Sequence, residues 1–231
     1  MKLALLQEAN GTVAHSTPEQ LMQQALSAHR RGAIADAKRL YEGLLSIDPS
    51  NAAACGNLAI IAAQQGDLAA AERLMRQQIR LRPNYAAGYN NLGALLAQQG
   101  RGADAVAAHR QAIKLDPNYA EAHLALGNAL KQHVDLDGAM RSYLAAAAIR
   151  PAYAEAHNNI GVVLQMLGRF DGAATAYRKA ITARPGYAEG LFNLGSVLHQ
   201  MRESKRPRRR IDRSSRSIQA LPSRTAISAL S

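Results

Sequence analysis

From Pro18 onward the small and large apolar residues recur in one register, with position 1 at Pro18, Ala52, Ala86, Ala120, Ala154 and Ala188. Position 7 is Gln24, then Leu58, Leu92, Leu126, Ile160 and Leu194; position 8 is always small, with Ala25, Ala59, Gly93, Gly127, Gly161 and Gly195. Further on, position 20 is Ala37, Ala71, Ala105, Ala139 and Ala173, and position 24 takes the larger Tyr41, Met75, His109, Tyr143 and Tyr177. Position 27 is Ala112, Ala146 and Ala180 in the later units but Leu44 and Gln78 in the first two. This spacing predicts two helices per unit, the first over positions 1 to 14. A glycine inside a helix costs about 1 kcal/mol relative to alanine. Its recurrence at position 8 therefore predicts a close crossing by the second helix of the same unit.

The punctuation has the same period. Prolines stand at 49, 83, 117, 151 and 185, each 34 residues apart, where they stop the second helix and set the approach to the next unit. Glycines 32, 66, 100 and 168 mark position 15, where a chain leaving a helix turns left-handed at little cost. One unit carries Val134 there instead, which predicts a strained or reshaped turn. Tyr85, Tyr119, Tyr153 and Tyr187 follow the prolines and are expected to pack at the joints between units. A helix pair of this size cannot bury its own apolar face, so the units must stack.

These residues resemble the tetratricopeptide repeat (TPR) family. The segments AEAHLALGNALKQHVDLDGAMRSYLAAAAIRPAY and AEAHNNIGVVLQMLGRFDGAATAYRKAITARPGY follow its pattern almost throughout. The family's usual Trp at position 4 is replaced by Leu21, Cys55, Tyr89, His123, His157 and Leu191. The resemblance implies an all-α fold, a right-handed superhelix, or α-solenoid, of antiparallel helix pairs. Five repeats are expected at 18–51, 52–85, 86–119, 120–153 and 154–187, after a lead-in over 1–17 and before the first helix of a truncated sixth over 188–201. Within the family, the AEAHNNIG and GYNNLG text is similar to the repeat arm of bacterial proteins like the O-linked N-acetylglucosamine transferases, without their catalytic domain.

Position 6 carries the most functional pattern: Gln23, Asn57, Asn91, Ala125, Asn159 and Asn193. A carboxamide both donates and accepts, so a ladder of them matches the backbone of an extended peptide. The transferase-like resemblance implies that such a ladder lines the inner surface, and that role falls on Asn57, Asn91, Asn159 and Asn193; a structural bond between repeats is the other reading. Neighbouring groove candidates are Asn90 and Asn158 at position 5, and Gln64, Gln98 and Gln132 at position 13. No Lys and Arg cluster resembles the clamp by which some family members grip a terminal carboxylate. That favours neutral or backbone-directed recognition.

Composition and charge exclude more than they add. The chain of 231 residues is 48% hydrophobic, 4% aromatic and free of Trp, as a small-residue helical array should be. Its net charge of +11 would indicate nucleic acid, but residues 202–231 hold nine Lys or Arg against Glu203 and Asp212, so the other residues carry only +4. That basic tail is expected to be disordered, and its text fits a reading-frame slip after the sixth unit's first helix. It has no aromatic residue for base stacking. None of the seven histidines pairs with the single Cys55 or a carboxylate at metal-ligand spacing, and no phosphate loop or nucleophile motif occurs. The expectation is a non-enzymatic, cofactor-free bacterial scaffold in the cytoplasm, with no membrane span. Its concave groove binds a protein or extended peptide, and its uncapped last helix invites weak self-association. Two alternative functions are a transferase-like substrate-recognition arm and a basic-tail nucleic-acid binder.

Overall fold

A computed structural model describes residues 16–205. Eleven helices and no strand occur among these residues. The first helices of the units are α1 (Pro18–Arg30), α3 (Ala52–Gln64), α5 (Ala86–Gln98), α7 (Ala120–Gln132) and α9 (Ala154–Met166). Their partners are α2 (Ile34–Ile47), α4 (Leu68–Leu81), α6 (Gly102–Leu115), α8 (Leu136–Ile149) and α10 (Phe170–Ala183), and α11 (Ala188–Lys205) closes the series. Each odd helix packs on the even helix that follows it, and each pair packs on the next. The odd helices also touch across units, α5 to α7, α7 to α9 and α9 to α11. In a curved stack the elements on the inside of the curve come closest, so the odd helices line the inner face.

Every intra-unit turn is built the same way. In the first, the Gly32 N–H donates to the His29 carbonyl and the Ala33 N–H to the Ala28 carbonyl, the paired bonds of a Schellman cap. Glycines 32, 66, 100 and 168 take φ between +72° and +83° there. Val134 adopts the same left-handed conformation at φ +61°, with the Asp135 N–H bonded to the Leu130 carbonyl as in the other turns. The turn keeps its shape and the strain falls on the valine, whose branched Cβ crowds the backbone in that region. Val134 is exposed and contributes nothing to the core in return. Val134→Gly is expected to raise the stability of the array by about 1 kcal/mol, read from its urea midpoint.

The core is a row of small-to-large contacts between positions 8 and 24. A Cβ on Gly127 would lie 2.5 Å from the Tyr143 ring, one on Gly161 2.5 Å from the Tyr177 ring, and one on Gly93 2.7 Å from the His109 ring. Each of these rings therefore packs directly against the backbone of the odd helix, and all three are buried. Gln78 at position 27 is a buried polar exception. Its Nε2 donates to the Ala52 carbonyl at 3.1 Å, in space left by Gly56.

The joints are polar on their rims. Arg150 pairs with Glu121 at 2.5 Å and stacks on Tyr153 at 4.6 Å; Arg184 pairs with Glu155 at 2.6 Å and stacks on Tyr187 at 5.1 Å. His123 and His157, at position 4, donate from Nε2 to the carbonyls of Pro117 and Pro151. These tie each first helix to the linker that precedes it. Cys55, at the same position of its unit, is fully buried, and burial raises its thiol pKa.

One boundary differs from expectation. The last helix was expected to end near 201, but α11 runs on through Lys205. Arg202 stands where the other units have their turn residue, so nothing breaks the helix at that point. The expected disordered tail is corrected for 202–205, which are helical; the remainder, 206–231, and the lead-in over 1–15 lie outside the described residues.

Candidate inner-face site

At position 6, Asn159 reaches from α9 to α7 and Asn193 from α11 to α9, across the inner face. Asn159 Nδ2 donates to Asn128 Oδ1 at 3.1 Å. Tyr143 Oη donates to the same oxygen at 2.8 Å. With Oδ1 used twice, the Asn128 carboxamide is held in one orientation and its Nδ2 is left to donate elsewhere. Asn159 in turn keeps its Oδ1. Held side by side, the two amides present one donor and one acceptor, the alternation that an extended peptide backbone offers in return.

Asn128 was not among the residues picked out by spacing. It stands at position 9, three residues beyond Ala125, the gap in the position-6 ladder. On a helix that spacing shares a face, so Asn128 restores a carboxamide to the unit whose ladder residue is missing. No other unit has Asn at position 9, so periodicity carries no sign of it.

The remaining candidates divide sharply. Asn193 Nδ2 donates to Asn158 Oδ1 at 3.0 Å, and Asn158 Nδ2 donates to Glu189 Oε1 at 3.0 Å. Tyr187 Oη completes the chain by donating to Glu189 Oε2 at 2.8 Å. Asn158 is only 1% exposed, which corrects its expected place on the groove surface: it is a strut between α9 and α11. Asn90 is likewise spent on packing, its Oδ1 2.9 Å from His109 Nδ1. The acceptor oxygen makes that ring nitrogen the donor. Asn57 and Asn91 are half-buried, and Asn91 makes no side-chain hydrogen bond to another described residue. Gln64, Gln98 and Gln132 end α3, α5 and α7 and stay exposed, at the edge of the same face.

Among the described residues, no three His, Cys, Asp or Glu side chains come together as a metal site, and no helix is long and apolar enough to cross a membrane. The inner face offers carboxamides rather than nucleophiles or paired acids. Its chemistry is hydrogen bonding.

Family models described as tetratricopeptide repeat match residues 28–96 and 154–187, and one described as TPR repeat matches 95–134 and 135–168. No curated protein shows significant similarity to the chain. Among solved structures, the MamA protein is 24% identical, with a TM-score of 0.64 over 74% of this chain and 94% of that one. YrrB, described as a TPR protein with an unusual peptide-binding site, is 20% identical, with a TM-score of 0.62 over 83% of this chain and 97% of its own. The pilF protein of Pseudomonas aeruginosa is 19% identical, with a TM-score of 0.69 over 81% of this chain and 91% of its own. At these identities the likeness is one of fold.

Proposed function

The chain belongs to the tetratricopeptide repeat family, whose arrays generally serve as protein-interaction scaffolds, and we propose that its inner face binds an extended peptide segment of a partner protein through the carboxamide ladder. The observation that carries this reading is the pair Asn128 and Asn159, pre-oriented by Tyr143 with one donor and one acceptor left over. Preorganisation matters because a side chain already fixed loses less entropy on binding. Asn91 extends the polar track toward the N-terminal units, where Asn57 and Gln64 continue it. In the C-terminal units Asn193 keeps only its Oδ1 side, since its amide nitrogen is engaged with Asn158.

Recognition of this kind reads backbone rather than side chains, so the partner segment is extended and uncharged at its centre. A finer reading, the substrate-recognition arm of a transferase-like protein, is supported by the asparagine spacing alone. Peptides selected from a synthetic array, labelled and measured by fluorescence anisotropy, test the proposal. Asn91→Ala and Asn159→Ala are each expected to weaken binding about fivefold, the effect of about 1 kcal/mol per lost hydrogen bond. Unchanged affinity in the double variant would remove the ladder from the mechanism.

A further inference from the structure

Gly93, Gly127 and Gly161 each lie under a ring from the following helix, whereas Gly195, at the same position of α11, has nothing within 4 Å. The residues around it form one face. Ala188, Leu191, Gly195, Leu198 and Arg202 follow the three-four spacing of a heptad seam, with Phe192 and His199 alongside. All seven are exposed, including Leu191 at 49%, Phe192 at 77% and Leu198 at 37%, while the equivalent Leu130 is 7% exposed. The opposite side of α11 carries Gly190 and Val197, buried against the preceding unit.

We propose that this seam pairs with the same seam of a second copy, antiparallel about Gly195, to give a two-fold dimer. Two features single out that occupant. The seam is self-complementary: antiparallel pairing about Gly195 sets Leu191 and Phe192 of one copy against Leu198 of the other, with the two glycines letting the backbones approach. The other end of the array gives no match for a head-to-tail stack, because α1 presents Gln20, Gln23 and Gln24 there as exposed polar residues. An isologous contact closes; a heterologous one would run into a filament.

The seam is about 21 Å long at 1.5 Å per residue, short for a permanent interface, so association is reversible. Asn193 lies on the α9-facing side of α11, away from Gly195, so pairing leaves the inner face open. The dimer carries two grooves in one particle, which favours partners with repeated binding segments through effective concentration. This inference stands apart from the peptide reading, because the seam and the ladder share no residue.

Sedimentation velocity on the full chain tests it. A dimer is expected to appear as concentration rises through about the micromolar range, as mass action requires. Leu198→Glu is expected to stay monomeric at the same concentrations, with unchanged helical content and melting. Gly195→Cys gives the positive arm: under mild oxidation it is expected to form a covalent dimer about ten times faster than the exposed control Ser46→Cys, since proximity sets the rate. The native Cys55 is buried and does not compete. A wild-type protein monomeric throughout, or cross-linking no faster than the control, overturns the proposal. Both would follow if another part of the same chain covered the seam.

Discussion

Acidification from pH 7 to pH 4 is expected to remove about 3 kcal/mol of stability through His109 alone, the energy that separates its ordinary value of 6.5 from about 4 in the fold. The cause is burial. The imidazole occupies the ring slot between α5 and α6, where the protonated form loses its water and gains no carboxylate. The unfolded chain takes up a proton near 6.5, but the folded chain does so only near 4. Between those values the unfolded state holds more protons, so stability is fully present above 6.5 and is lost as pH falls toward 4. His109→Met, which copies Met75 in the preceding unit, is expected to flatten that slope. The carboxylates are separable: Glu72 is held low by its bond from Arg101 and Glu121 by its bond from Arg150, so their losses come below the ordinary carboxylate range. Urea midpoints of both proteins between pH 5 and 7 isolate the histidine. Equal slopes in the two would show that His109 is not the sensor. Because a solenoid couples only nearest neighbours, hydrogen exchange should place the first acid opening in α5 and α6.

Tyr143→Ala is expected to cost about 3–5 kcal/mol, the range for removing a fully buried aromatic ring. The ring lies on the Gly127 backbone, and glycine has no side chain with which to close the gap. Its hydroxyl also holds Asn128, so the loss reaches the inner face. Tyr143→Phe separates the two effects: it keeps the ring and is expected to cost about 1 kcal/mol. In that variant Asn128 is held by Asn159 alone. The expected readouts are a much lower urea midpoint for the alanine variant and, for the phenylalanine variant, a near-native midpoint with weakened peptide binding. A phenylalanine variant that loses as much stability as the alanine one would show that the buried hydroxyl, not the ring, dominates.

Much of the fold was legible because its determinants are local or strictly periodic. A glycine at position 15 and a proline at position 32 act on their own backbone, so helix ends follow from single residues. The pairing of a small position 8 with a large position 24 follows from repetition, since only a recurring contact explains a recurring helical glycine. Val134 marked the strained turn for the same reason. The end of α11 was misjudged because repeat logic expected a stop where Arg202 supplies none.

The candidate site was legible only as a face. Asn57, Asn91, Asn159 and Asn193 could be set on the inner surface by register, but register is silent about which amides are already engaged. Asn159 meets Asn128 across 31 positions of sequence, and Asn193 meets Asn158 across 35. Whether such groups bond depends on ångström-scale approach between stacked units, and a pattern of residue types does not contain that distance. Asn90 and Asn158 looked like their neighbours in the ladder, yet one faces a buried imidazole and the other is enclosed between two helices.

By itself, then, the sequence determined the period, the turns, the helix pairs and the direction in which each face points, because backbone preference and side-chain volume act within a unit or between identical units. The tertiary structure decided which carboxamides remain free, that Asn128 replaces the ladder residue missing at Ala125, and that Gly195 stands uncovered. Those outcomes come from unique pairings between repeats, where a hydrogen bond forms or fails on a fraction of an ångström.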